Sequence, residues 1–250
     1  FMGWSTKPMQ SVSPQYEAEE KITVNGNVDL YAVVFNRTTE TDLTEDQLPQ
    51  VDIYKYKQVI FVGDSRTEFM ENVLTGMGES ATKNVKFVCS AGKGLDWFTT
   101  TGWAQLYSIV QHDSNSILSK KTAVIFNFGV NDLSKSADYA EYYNWIAPQL
   151  KSKGCELYFM SVNPVNRLML PNAGRADRSE AAVRSFNQYM KVNLSSAYTY
   201  IDMYSYLKST GYSFASDHYG TGTVDDGLHY TTRTYKRIFA KCMDSLRVPA

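Results

Sequence analysis

Apolar residues in this chain fall into short, predominantly apolar runs, separated by longer stretches in which they recur every three or four positions. The runs at 59–62, 85–89, 123–128, 156–162 and 198–201 are rich in Val, Ile, Phe and Tyr and are too short for amphipathic helices, so they read as strands. Between them, 139–151 and 179–194 space their apolar and aromatic groups three and four apart, and 231–246 closes the chain the same way. These are predicted helices. Strands that alternate with helix-length segments predict an α/β fold, a three-layer α/β/α sandwich with a central parallel sheet.

The first part of the chain has a different texture. Residues 1–36 alternate turn-forming and β-forming types, and Asn25-Gly26 between Ile22-Thr23-Val24 and Leu30-Tyr31-Ala32-Val33-Val34 predicts a hairpin. Residues 37–53 are polar, rather acidic and aperiodic, which is the pattern of a linker. The expected organisation is a small β module over 1–36, a linker over 37–53 and one large domain over 54–250.

Bulk properties narrow the partners. At 250 residues and 43% hydrophobic content the chain can bury one full core and carry a small appendage. With 25 basic and 26 acidic residues the formal charge is -1, so no nucleic acid and no anionic membrane is expected as partner. A neutral or modestly polar substrate fits this balance better. No apolar stretch approaches the roughly 20 residues that span a bilayer. Cys89, Cys155 and Cys242 are too few and too scattered for a disulfide framework or for zinc ligation, so no metal is expected.

Four short motifs carry the chemistry. Gly63-Asp64-Ser65 follows the run at 59–62 and forms a strand-to-helix turn, with the helix expected near Thr67. By itself this is a capped turn; read functionally, Ser65 is a nucleophile whose own N–H can hold an oxyanion. Ser90-Ala91-Gly92-Lys93-Gly94 follows the run at 85–89, and either Gly92 or Gly94 can offer a second backbone N–H, with Gly92 favoured. Gly129-Val130-Asn131-Asp132 follows the run at 123–128 and supplies, through the Asn131 amide, a third donor that keeps its charge state. Asp226-Gly227-Leu228-His229 precedes the last helix, so one loop can bring in both a base, His229, and the carboxylate that orients it, Asp226. Three of these motifs end parallel strands and therefore meet at one sheet edge.

The combination resembles the SGNH hydrolases, also called GDSL-type esterases, over roughly 54–246. In that family the serine, the glycine, the asparagine and the histidine are the namesake residues, and an aspartate stands three residues before the histidine. Ser65, Gly92 or Gly94, Asn131, His229 and Asp226 occupy those places. The resemblance implies a flavodoxin-like sheet and cofactor-free hydrolysis of acyl esters through a Ser-His-Asp triad. Two features depart from the pattern: Ser90-Ala91 leads the glycine block, and Arg66 follows the nucleophile directly. No Gly-x-Ser-x-Gly elbow surrounds Ser65, which separates the chain from the α/β-hydrolase fold.

The N-terminal pattern Phe1-Met2-Gly3-Trp4-Ser5-Thr6, with Ile22-Thr23-Val24 and Asp29-Leu30-Tyr31-Ala32-Val33, resembles part of the β-grasp-like B-repeat of internalins. That likeness implies association with a bacterial cell surface and hence an extracellular or surface setting; Phe1, read as a processed or trimmed start, removes the missing signal peptide as an argument for a cytoplasmic one. The expected activity is removal of a short acyl group, acetyl above all, from carbohydrate or cell-wall glycan. A lysophospholipase or thioesterase, an O-acyltransferase and an inert surface-binding protein remain the alternatives. Among the 18 Tyr and four Trp residues, most are packing groups; Trp97, close after the glycine block, and Asn163, at the end of a strand on the active edge, are the expected substrate contacts.

Overall fold

The structure is a computed structural model describing residues 1–10, 14–18, 20–36, 39–113, 120–216 and 225–247. Two short strands near the start, β1 (Gly3–Ser5) and β2 (Tyr31–Val33), pair antiparallel with Gly3 opposite Val33. The main sheet follows: β3 (Tyr56–Gly63), β4 (Val85–Cys89), β5 (Lys121–Asn127), β6 (Cys155–Met160) and β7 (Tyr198–Ile201), all parallel, in the order β4-β3-β5-β6-β7. All five apolar runs are therefore strands of one sheet. The chain leaves β3 in one direction for β4 and returns to the other side for β5, so the topological switch lies at β3 and β5, where ligands of doubly wound sheets collect.

Period-two alternation divides the sheet residues between two cores. Ile60, Val62, Val124 and Phe126 face a cluster completed by α2 (Leu95–Trp97), α3 (Trp103–Asp113), α4 (Ser136–Lys151) and α5 (Glu180–Asn193) through Leu95, Leu106, Tyr143 and Phe186. Val59, Phe61, Ala123 and Ile125 face the opposite cluster, closed by α1 (Ser65–Thr75) and α7 (Thr232–Ser245) through Met70, Leu74, Ile238 and Phe239. This is the expected three-layer sandwich. Ser179 and Thr231 cap α5 and α7 by accepting from Ala182 N and Thr234 N, which fixes both helix starts where the periodicity begins.

Three local expectations change. Asn25-Gly26 does not turn a hairpin; β2 pairs instead with β1, far back in sequence. Val24, Val28 and Leu30 are 50%, 44% and 39% exposed, so a hairpin there would bury no face, whereas Val33 and Met2 enter the core beneath α7. Residues of the polar 37–53 segment also lie against the large domain: Leu48 and Val51 are buried, and the buried Glu40 pairs with Arg237 of α7 at 3.0 Å. Finally, Asp226 and His229 sit on a strand rather than a loop. This is β9 (Asp225–Tyr230), antiparallel to β8 (Phe214–Ser216), which follows α6 (Met203–Thr210). The other two histidines have no neighbouring motif of this kind and read as surface or structural groups; the side chain of His112 and the whole of His218 fall outside the described residues.

Candidate active site

Ser65 opens α1 immediately after β3, and Asp64 caps the helix by accepting from Arg66 N at 3.0 Å. Burial pushes the Asp64 carboxyl up to about 6, against the pull of Arg66. The cap holds the serine at the positive end of the helix, beside N–H groups that face no helical acceptor.

Across the cavity edge, β9 delivers the base. Gly227 takes φ +69°, and a Cβ there would stand 2.5 Å from the Asn166 carbonyl, so only glycine lets the strand kink at this point. The kink folds the Asp226 carboxylate back along its own strand: Oδ1 accepts from the N–H groups of Leu228 and His229 at 2.8 and 2.7 Å. Oδ2 lies 2.6 Å from His229 Nδ1, and His229 Nε2 lies 2.9 Å from Ser65 Oγ. The chain of contacts from carboxylate to hydroxyl is complete, across 164 residues of sequence.

Its electrostatics suit proton transfer. Burial disfavours the charge on Asp226, but the His229 ring and the two backbone donors outweigh it and hold the carboxyl below its ordinary value. Burial also lowers the His229 pKa, with help from Arg66 and Arg175 and against the attraction of Asp226. At neutral pH the ring is therefore uncharged. Asp226 accepts the Nδ1 proton, which leaves the Nε2 lone pair for the serine hydroxyl. Phe69, one turn after Ser65 on α1, covers the ring at a centroid distance of 4.4 Å.

The serine and histidine open onto a cavity of about 360 Å³. Gly92 and Asn131 line it from the ends of β4 and β5. Asn131 donates one Nδ2 hydrogen to the Lys93 carbonyl at 2.8 Å and accepts at Oδ1 from Arg178 at 2.9 Å. An amide has two N–H groups, so one remains for a ligand. Gly94 lies behind the wall: a Cβ on it would stand 2.3 Å from Asp132 Oδ2, which accepts from Leu95 N at 2.9 Å. Glycine at 94 thus makes room for a carboxylate, and Gly92 is the residue at the cavity.

An arrangement of hydroxyl, neutral imidazole, carboxylate and convergent N–H groups is equipped for acyl transfer. The sequence pattern of GDSL-like lipases and acylhydrolases matches residues 59–242. The chain belongs to that family. Membership makes it a hydrolase acting on esters. Among solved structures, a candidate acylhydrolase of Bacteroides fragilis is similar with a TM-score of 0.51 and 16% identity, over 81% of this chain and 93% of that one. An acetyl xylan esterase gives a TM-score of 0.49 and 13% identity, over 76% of this chain and 100% of that one. The C-terminal catalytic domain of a peptidoglycan O-acetyltransferase of Streptococcus pneumoniae gives 0.45 and 15%, over 76% and 92%. Comparison with proteins of curated function finds no match in sequence.

Two expected substrate contacts of this GDSL-type hydrolase lie elsewhere. Trp97 turns into the core, its ring 6.1 Å from that of Phe128, because the helical stretch after the glycine block packs that side chain on the sheet. Asn163 is 1% exposed, and its backbone carbonyl serves Arg66. Arg66 itself is explained by the same contact. Its buried guanidinium donates to the carbonyls of Leu228, Asn163 and Pro164 at 3.1, 2.9 and 3.0 Å, tying α1 to the histidine strand and to the end of β6. It is a positioning residue. Sequence reasoning passed over Arg175 and Arg178, which line the cavity from the segment before α5; nothing in their aperiodic surroundings marks them.

Proposed function

We propose that the chain is a serine esterase that removes short acyl groups, acetyl foremost, from carbohydrate. The observation that carries this reading is the contact chain from Asp226 through His229 to Ser65. In the reaction His229 Nε2 takes the Ser65 proton as Oγ attacks the ester carbonyl. The N–H groups of Ser65 and Gly92 and the Asn131 amide receive the negative oxygen. The imidazolium, steadied by Asp226, then protonates the departing alcohol, and water repeats the sequence on the acyl-serine to release the acid. No cofactor takes part in this scheme.

A cavity of about 360 Å³ is at the small end of ligand sites, which run from roughly 300 to 1,000 Å³, and it favours a short acyl group. Asn131, Arg175 and Arg178 make part of the wall polar, which suits a hydroxylated alcohol. An extracellular or cell-surface setting belongs to the same proposal and rests on the N-terminal resemblance alone. Hydrolysis of nitrophenyl esters of increasing acyl length tests the acyl side. The expected profile peaks at acetyl and falls with each added pair of carbons. A maximum at long chains would favour a lysophospholipase or thioesterase. Acetate release from acetylated polysaccharide and peptidoglycan tests the alcohol side.

A further inference from the structure

We infer that the ester cleaved by this enzyme carries an anionic oxygen group, a carboxylate or phosphate, and that Arg175 and Arg178 bind it in the same cavity as Ser65 and His229. This rests on the esterase reading for the ester but not for the anion. Two guanidinium groups line the cavity, and among the described residues no carboxylate lines it. The carboxylates nearby stand behind the wall and are occupied. Asp226 is 0% exposed and holds His229, Asp64 is 1% exposed and caps α1, and Asp132 accepts from Leu95 N and Tyr139. Asp177, next to Arg178, pairs with Arg167 at 2.6 Å. Positive charge therefore faces the cavity while negative charge is kept in the protein.

The hydrogen bonds of Arg178 leave its charge uncompensated. Nε donates to the Val130 carbonyl at 2.7 Å, Nη1 to the Ala176 carbonyl at 2.8 Å and Nη2 to Asn131 Oδ1 at 2.9 Å. All three acceptors are neutral. A guanidinium has five N–H groups, so one on each terminal nitrogen remains, the paired geometry that suits an oxyanion. Arg175 reaches Asp226 Oδ2 at 3.3 Å, but that oxygen already lies 2.6 Å from His229 Nδ1, so the ion pair is shared. Behind both, the buried Arg66 also leans on carbonyls alone. Burial, then repulsion from Arg66 and Arg175 and against the attraction of Asp64, loosens the Arg178 proton, the mark of cations gathered closer than they would choose. An anion in the cavity relieves that repulsion. The whole-chain charge of -1 had pointed to a neutral substrate because it averages over this local separation.

The test uses glucose, glucuronate and glucose phosphate, each acetylated at the same ring hydroxyl. Wild-type kcat/KM is expected to favour the charged sugars over acetyl-glucose by about tenfold or more at low salt, with the preference shrinking as ionic strength rises. Arg175→Gln and Arg178→Gln should each collapse that ratio, whatever they do to the absolute rate. The better of the two charged sugars identifies the anion as carboxylate or phosphate. Binding of glucuronate and inorganic phosphate to Ser65→Ala, followed by calorimetry, reads the subsite without turnover and should be lost when Arg178→Gln is added. Equal kcat/KM on acetyl-glucose and both charged sugars, with nitrophenyl acetate still hydrolysed, overturns the anion subsite and leaves the esterase standing. Anion binding that depends on Arg178 in a protein hydrolysing no ester would do the reverse.

Discussion

The two edges of the parallel sheet treat charge in opposite ways. At the edge where strands begin, Glu156 of β6 accepts from Tyr56 of β3 and from Lys121 of β5, the latter at 2.5 Å, and Lys55 stands 3.5 Å away. Burial works against the Glu156 carboxylate, yet the Lys121 and Tyr56 hydrogen bonds win and hold it down at about 2. Cations and carboxylate sit together, and Tyr56 and Tyr158 share the remaining hydroxyl contact at 2.9 Å. At the edge where the strands end, Arg66 and Arg178 rest on neutral acceptors, and the Asp226 carboxylate is divided between the His229 imidazole and Arg175. One edge uses ion pairing to hold strands in register. The other leaves Arg178 with neutral hydrogen-bond acceptors only, so that its charge can act on a ligand.

If this contrast is right, changes at the two edges will separate activity from stability. Ser65→Ala or His229→Ala should lower kcat by about 10⁴-fold or more while leaving the thermal midpoint close to wild type, as steady-state kinetics and calorimetry would show. Asp226→Asn should cost about 10³- to 10⁴-fold, because an amide no longer fixes the histidine tautomer; a loss under tenfold would remove Asp226 from its orienting role. Asn131→Ala should lose on the order of 10²-fold in kcat with little change in KM, the sign of a donor that acts in the transition state. The pH profile sharpens the same edge. Since burial lowers the His229 pKa, the acid limb of kcat/KM should fall below the ordinary histidine value of about 6.5, and a limb well above it would mean that the imidazole is not held neutral.

The smallest effect is predicted at the opposite edge. Glu156→Gln should leave kcat unchanged and lower stability by about 1 kcal/mol after solvent screening. Its carboxyl is depressed from 4.5 to about 2 in the folded protein, so its stabilisation is fully present above 4.5 and is lost as pH falls toward 2. Denaturant titrations at neutral and acid pH should therefore show the wild-type advantage over Glu156→Gln at the former and its decline at the latter.

What the sequence reveals follows from how each element is built. The inner strands of the main sheet, β3, β5 and β6, are buried on both faces, which leaves predominantly apolar runs that no helix of that length would need. The turns after β3, β4 and β5 were legible because parallel topology alone sends them to one edge. β9 was not, since Asp225-Asp226-Gly227 has the composition of a turn; its strand geometry depends on Asp226 capping the N–H groups just ahead of it. Arg178 escaped notice for a related reason, its position being fixed by the distant Val130 carbonyl. Trp97 and Asn163 show the converse. Their residue types suit sugar contacts, but Trp97 packs on Phe128, and Asn163 is buried at a position whose backbone carbonyl accepts from Arg66.

The central claim is that Ser65 is a nucleophile activated by His229. Exposure of the folded protein to a fluorophosphonate ester, with the modified peptide identified by mass spectrometry, tests it most directly. A single adduct on Ser65, formed orders of magnitude more slowly in His229→Ala, is the predicted result. An intact fold that takes no label, or takes it on another residue, would contradict the account.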